Sequence, residues 1–384
     1  MEKIIYASAT NIGNSRSSKG NQDATSSVIY EQTTVFSTAD GHGSLGGLAA
    51  NVTVKNFPKF FMEFLGEDYS INDSFKLAFK KTDELVCQSI FKHLVSKGKT
   101  IHQKKVHEGI SEDMPSWHLS NGMYSASKDL ISGGTTFSVV VIKLNDDGSK
   151  TVHVASVGDS DVIANIGLSK YEKMTANHSP SSQEEFERIM GFTDAYPQRC
   201  KPRVVFDKFD RRGSSFDTCA DVYIRDDVGE ITGNQPESPY TKNMKGELAT
   251  YFVSPEISTC HEEYIFAPLW SALAVTRALG DVNMKPFGLS CEPHIETFEV
   301  ASDQNVILIS ATDGIWDCYK RNEMVMEYFS SPEAIEQFST EETATIFVKN
   351  WLDRTHFDVA KGLFGSGMDN MTISVIKIGA SVDT

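Results

Sequence analysis

Residues 306–317 read VILISATDGIWD, a run of β-branched and apolar residues that closes on Asp313 with Gly314 directly behind it. The same arrangement recurs in VFSTADG (35–41), which closes on Asp40, and in VHVASVGD (152–159), which closes on Asp159. Runs of this length and composition read as buried strands. Aspartates at the ends of several strands of one core can converge on one edge, where their repulsion is costly unless cations occupy the space between them. Mg²⁺ and Mn²⁺ take hard oxygen ligands and keep room for water, which is what such an edge offers. Asp281 in LAVTRALGD (273–281) and Asp369 in GMDN (367–370) stand in similar settings. One Asp-Gly pair alone would mark only a turn. Five carboxylates, each beside an apolar segment, point to a shared binuclear site.

Outward from these runs, Val28–Thr38, Thr135–Leu144, Thr151–Val157 and Thr372–Ile378 also read as strands. A long amphipathic helix lies between the first two. Phe75, Ala78, Phe79, Val86, Ile90 and Leu94 fall at helical spacing after a cap at Asn72 or Asp73. A second packed helix is expected behind a capping box of Ser339 and Glu342, with Ile346, Phe347, Trp351 and Leu352 as its apolar stripe. Residues 98–133 and 191–264 show no such period and read as surface insertions in a single domain spanning 1–384.

With 384 residues, 40% of them hydrophobic, the chain can bury a large core. Its net charge of −16 repels polyanions, so nucleic-acid binding is not expected. The six cysteines form no C-x-x-C pair, which suggests neither a zinc knuckle nor a disulfide framework, and reduced thiols in the cytoplasm or nucleus are the simple reading. No stretch approaches the ~20 apolar residues of a membrane helix. A soluble monomer is the expectation.

Seven motifs stand in order along the chain: GNQDA (20–24), ADGHG (39–43), SGGTT (132–136), VGDSDV (157–162), LAVTRALGD (273–281), ATDGIWD (311–317) and DNMTISV (369–375). Together they resemble the type 2C, metal-dependent serine/threonine protein phosphatases, and MTANHSPSSQEEFERI (174–189) is similar to the stretch before that family's flap. The resemblance implies an α+β fold, a four-layer αββα sandwich of two antiparallel sheets flanked by helices. It also implies two Mg²⁺ or Mn²⁺ ions in a cleft at one sheet edge, with a third held more weakly. Asp40 would bridge the two ions and the Gly41 carbonyl would ligate one. Asp281, Asp313 and Asp369 would complete the shell, and Asp23 would hold metal-bound water from just outside. Asp159, with Asp281, resembles the additional position.

Two cations side by side can activate a water near neutral pH and neutralise phosphoryl oxygens, which suits hydrolysis of phosphorylated proteins without a covalent phosphoenzyme. His42, inside the DGHG turn, is placed to protonate the departing serine or threonine oxygen. The family's basic phosphate ligand falls here on Ser18, so Lys19 is the first candidate for that contact and Arg16 the second. Gln22 replaces a common glutamate, as in a eukaryotic variant of the motif. Gly41 to Gly46 fits G-x-G-x-x-G, but no second strand ending in a ribose-binding acid follows, which argues against a dinucleotide site. Cys219 and Arg225 have the C-x₅-R spacing of cysteine phosphatases, yet ADVYI between them carries an acid and no glycine. A catalytically silent module of the same fold and a hydrolase of small phosphate esters are the competing readings. Selectivity would come from the surface around the site, above all from 191–264, where Lys201, Arg203, Lys208, Arg211 and Arg212 could meet acidic partners.

Overall fold

In a computed structural model, residues 4–13, 20–104, 116–120, 131–167, 170–196, 201–206, 219–225, 231–233, 249–254, 271–320, 322–365 and 368–379 are described. Ten strands make the two main sheets: β1 (Ile4–Asn11), β2 (Ala24–Tyr30), β3 (Thr33–Ala39), β4 (Phe137–Leu144), β5 (Lys150–Val157), β6 (Val162–Ile166), β7 (Lys170–Lys173), β8 (His294–Val300), β9 (Val306–Ala311) and β10 (Met371–Ile378). One sheet has the order β1-β10-β9-β6-β7 and the other β8-β5-β4-β3-β2. Every pairing in both is antiparallel.

Alternation along β10 shows how the layers arise. Met371, Ile373 and Val375 point to one side and join a cluster with Trp316, Phe329, Trp351 and Leu352. Ile376 and Ile378 point to the other and join Phe36, Val140, Val152, Val154 and Leu308 between the sheets. A strand sends successive side chains to opposite faces, so a strand apolar on both faces must be covered twice. On the outer side of the second sheet lie helices α1 (Gly46–Gly66) and α2 (Ile71–Ser96), whose Phe57, Phe61, Phe75 and Phe79 pack on Phe137, Val139 and Val141. Past α3 (Gln183–Phe192), the short α4 (Asp313–Trp316), α5 (Glu323–Phe329) and α6 (Pro332–Gln337) and the longer α7 (Glu341–Arg354) cover the first sheet. The result is the expected α+β arrangement, helices outside two facing antiparallel sheets.

Local details differ from the sequence reading. Val28–Thr38 is a hairpin rather than one strand, because the chain turns at Glu31 with φ 45° and re-enters as β3. Ile4–Asn11, whose buried Ile5, Ala7 and Ala9 alternate with less buried neighbours, forms an edge strand that a brief apolar stretch did not announce. The cap of α2 is Ser70, which accepts from the Asp73 amide at 3.1 Å while its hydroxyl donates to the Asp73 carboxylate. That makes Asp73 the third helical residue rather than the cap. The box on α7 is Thr340 with Thr343, one residue beyond the expected Ser339 and Glu342. Within 98–133, Thr100–Lys104 pairs with Ser116–Ser120. Within 191–264, Arg203–Phe206 pairs with Thr250–Val253, which also pairs with Ala272–Leu273. Strands this short, paired across long sequence separations, leave no local period to read.

Two expectations follow. Phe57 has four aromatic neighbours, Phe61, Phe75, Phe79 and Phe137, with centroids 4.9 to 6.4 Å away. Phe57→Ala should cost about 4 kcal/mol, read from the urea midpoint. Glu185 on α3 is buried and receives Arg277 at 2.6 Å and Arg188 at 2.8 Å. Burial alone would raise its pKa, but the two guanidinium groups outweigh it and hold the carboxyl at about 2, against 4.5 when free. A depressed carboxyl pKa contributes stability that is full above the unfolded value and lost as pH falls through the folded one. Glu185→Gln should therefore be less stable than the parent by about 3 kcal/mol near neutral pH. The gap should shrink between pH 4.5 and 2, and a pH-independent gap would contradict the ion-pair assignment.

Candidate active site

Antiparallel order brings strand ends and strand starts to one edge. Ala39 at the end of β3 pairs with Ala24 at the start of β2, and Ala311 at the end of β9 pairs with Ile373 near the start of β10. Asp40 and Asp313 therefore leave the edge where Asp23 and Asp369 enter it. Contacts between the sheets hold the two halves together: the Thr312 hydroxyl donates to Asp23 Oδ2 at 3.0 Å, and Gln22 N donates to Asn370 Oδ1 at 2.8 Å. Thr135 Oγ1 and the Thr136 amide both donate to the Asp40 carbonyl, at 2.8 and 2.9 Å, so the SGGTT threonines fix the backbone that carries Asp40.

The carboxylates repel one another. Asp40 has its pKa raised well above 3.8, first by burial and then by the charges of Asp23, Asp313 and Asp369. Asp313 is raised in the same way by burial and by Asp159, Asp369 and Asp317. Burial also lifts Asp23 and Asp159, each to about 6. Asp317 was not singled out in the sequence, although ATDGIWD places it four residues after Asp313, one helical turn on. It lines a cavity with Asp313 and Asp369.

A second convergence rests on a three-stranded ladder. Gly41–His42 pairs with Gly134–Thr135, which pairs with Leu279–Gly280, so ADGHG, SGGTT and RALGD meet. There His42 Nε2 and Asp281 Oδ2 lie 2.6 Å apart. Burial would lower the histidine pKa, but Asp281 and Asp159 overcome it and the net direction is upward. Asp281 has φ 45°, a strained conformation for a residue with a side chain. Its amide donates to the Gly133 carbonyl at 2.9 Å, which holds it there. A Cβ on Gly134 would overlap the Asp281 carboxylate where it stands, so a side chain there would push Asp281 away from His42. Asp281, expected among the metal ligands, also lies within hydrogen-bond distance of His42.

Lys19 and Arg16, the expected phosphate contacts, lie outside the described residues, as do Lys208, Arg211 and Arg212. Lys201 and Arg203 are occupied by Asp194 at 3.6 Å and Asp221 at 2.9 Å, which leaves those two less available to an acidic partner. Among the described residues no three His, Cys, Asp or Glu side chains stand in chelating geometry, and no helix is long and apolar enough to cross a membrane.

The donor set nevertheless suits a hard divalent cation. Every candidate ligand is an oxygen. Asp23 Oδ1 and Asp313 Oδ1 are buried without a hydrogen-bond partner, which is costly for a carboxylate unless a cation completes it.

A family model described as "Protein phosphatase 2C" matches residues 32–193 and 259–328. "Probable protein phosphatase 2C 41" of Arabidopsis thaliana is 49% identical over 53 residues, which is 14% of this chain. "Protein phosphatase 1L" of Bos taurus is 31% identical over 117 residues, 29% of this chain. The chain spans 15% and 27% of the length of these two relatives. Among solved structures, serine-threonine phosphatase 2C from Toxoplasma gondii superposes with TM-score 0.55 at 13% identity, covering 98% of each chain. A C. elegans sex determining protein does so with TM-score 0.55 at 16% identity, covering 99% of this chain and 66% of that one. At such identities the structures establish likeness of fold. The family model spans more than half of the sequence and includes the ADGHG, SGGTT, VGDSDV, RALGD and TDGIWD segments, and on that ground the chain belongs to the protein phosphatase 2C family.

Proposed function

We propose that the chain hydrolyses phosphoserine and phosphothreonine in proteins with the help of Mg²⁺ or Mn²⁺, its catalytic unit spanning residues 1–384. The observation that supports this reading best is the gathering of Asp23, Asp40, Asp313 and Asp369 at one sheet edge beside a histidine held by its own carboxylate. Asp40, the Gly41 carbonyl, Asp313 and Asp369 would hold two ions, with Asp23 acting through water. Asp159, with Asp281, would serve a third. Bound ions supply an activated water and positive charge for the phosphoryl oxygens.

The chain's own residues do the rest. Thr135 and Thr136 keep Asp40 in place, and Thr312 fixes one oxygen of Asp23. With Nε2 tied to Asp281, His42 presents Nδ1 as the nitrogen left to protonate the departing oxygen. Lys19, with Arg16 as the alternative, is the proposed phosphate contact. Acting on proteins, which bring their own recognition surface, the site needs no enclosed pocket for the alcohol.

Phosphate release from a phosphothreonine peptide should require Mn²⁺ or Mg²⁺, stop with EDTA, and fall at least about a hundredfold in Asp313→Asn. Thermal unfolding gives an independent readout. In EDTA, Asp313→Asn should melt no lower than the parent, because it removes one of several crowded charges. Added metal should raise the parent's melting temperature and leave the variant's nearly unchanged. A metal-stabilised parent with no turnover would turn the reading toward a catalytically silent module.

The pairing of His42 with Asp281 has its own test. Asp281→Asn and Gly134→Ala, which crowds Asp281, should slow hydrolysis of an alkyl phosphate by on the order of 10²-fold. They should slow 2,4-dinitrophenyl phosphate much less, since that leaving group needs no proton. Equal losses on both substrates would instead place Asp281 in the shell of the two principal ions.

A further inference from the structure

The cavity beside the catalytic edge has two chemically distinct linings. Asp313, Asp317 and Asp369 are carboxylates, whereas Ala360, Phe364 and Met371 are apolar. Ala360 and Met371 are buried, but Phe364 is 37% exposed. It ends the short helix Lys361–Phe364, and Gly365, at φ 57°, turns the chain away immediately afterwards.

Single exposed phenylalanines are ordinary and need no explanation. Here, however, Phe357 is 61% exposed and Leu363 40%, so three large apolar side chains face solvent within eight residues. Elsewhere in the same layer aromatic rings interlock: Phe329 contacts Phe338, Phe347 and Trp351. Among the described residues Phe364 has no aromatic partner of that kind. Its phenyl contributes little to the core, yet it stands in the wall of a cavity that shares Asp313 and Asp369 with the catalytic edge.

We propose that Phe364, which lines the cavity together with Ala360 and Met371, is a specificity-determining contact for an apolar side chain next to the phosphorylated residue of a protein substrate. This rests on the hydrolytic reading above. A peptide with its phosphate engaged at the Asp313–Asp369 edge carries the adjoining residue one Cα step, about 3.8 Å, from the modified residue's own Cα, so that the adjoining side chain can extend into the same cavity. The charge of Asp313 and Asp369 is committed to cations in that reading, so the remaining contact is the phenyl ring. An apolar neighbour gains by covering it. An acidic neighbour meets Asp317 and is disfavoured.

The test measures affinity, apart from turnover. Phosphonate analogues of phosphothreonine peptides, which are not hydrolysed, carry leucine, glycine or glutamate immediately before or after the modified residue. Their dissociation constants with Mn²⁺ are read by fluorescence anisotropy. The parent should favour leucine over glycine on at least one side by on the order of tenfold, with glutamate weakest. Phe364→Ala should erase that preference, and Phe364→Leu should restore most of it. Phe364→Leu keeps an apolar surface on the same exposed helix end, so a fold defect would not produce this pattern. Equal affinities across the panel in the parent, or an unchanged ranking in Phe364→Ala, would overturn the proposal. Turnover of 4-nitrophenyl phosphate by the parent reports separately on the hydrolytic reading, so the two can fail independently.

Discussion

Repulsion among aspartates at one edge of two sheets is the constraint around which this molecule is organised. Asp23, Asp313 and Asp369 all raise the cost of ionising Asp40, and burial compounds it. Such a cluster is tolerable only if the surrounding fold over-determines it. That is what the core between the sheets does, by fixing strand registers that deliver each carboxylate to the same place. The site is thus bought with packing far from it. Phe36, Val152, Leu308 and Ile376 hold the sheets face to face without touching the chemistry.

The same logic operates on a smaller scale around His42. The ladder of residues 41–42, 134–135 and 279–280 joins three segments separated by long stretches of chain. Within it Asp281 adopts a positive-φ conformation, and its carboxylate fills the space a side chain at position 134 would take. Strain of this kind persists where neighbouring hydrogen bonds hold it, and the Gly133 carbonyl is the holder here. Behind the ladder, Glu185 links α3 to Thr276 and Arg277, so the segment that carries Asp281 is anchored on both sides. The packing of α3 and the segment that carries Asp281 therefore share residues.

The helical layer over the first sheet has a double character. Its interior is an interlocked aromatic cluster around Trp351 and Phe329, which leaves little freedom to move. Its far end, from Phe357 to Phe364, carries apolar side chains that the core does not use. The contrast between a closed interior and an open rim beside the carboxylates is a reason to look for substrate selectivity at this rim as well as in 191–264. In that stretch Lys201 and Arg203 are already spent on local ion pairs.

By itself the sequence determined the main strands and marked the carboxylates at their ends. Apolar runs closing on Asp40, Asp159 and Asp313 announced strands that end in carboxylates, and the order of motifs announced the family, because both signals are local in the chain. Hairpin breaks and caps were less legible. Whether Glu31 turns, or whether Ser70 rather than Asn72 caps α2, depends on one residue's conformation within a stretch that fits either choice. The partner of Asp281 was decided only by tertiary structure: its carboxylate meets a histidine 239 positions away, through a ladder whose strands are two residues long. The site role of Asp317 and the exposure of Phe364 were decided there too. Side-chain company at long sequence separation is set by how the sheets close, and no local periodicity encodes it.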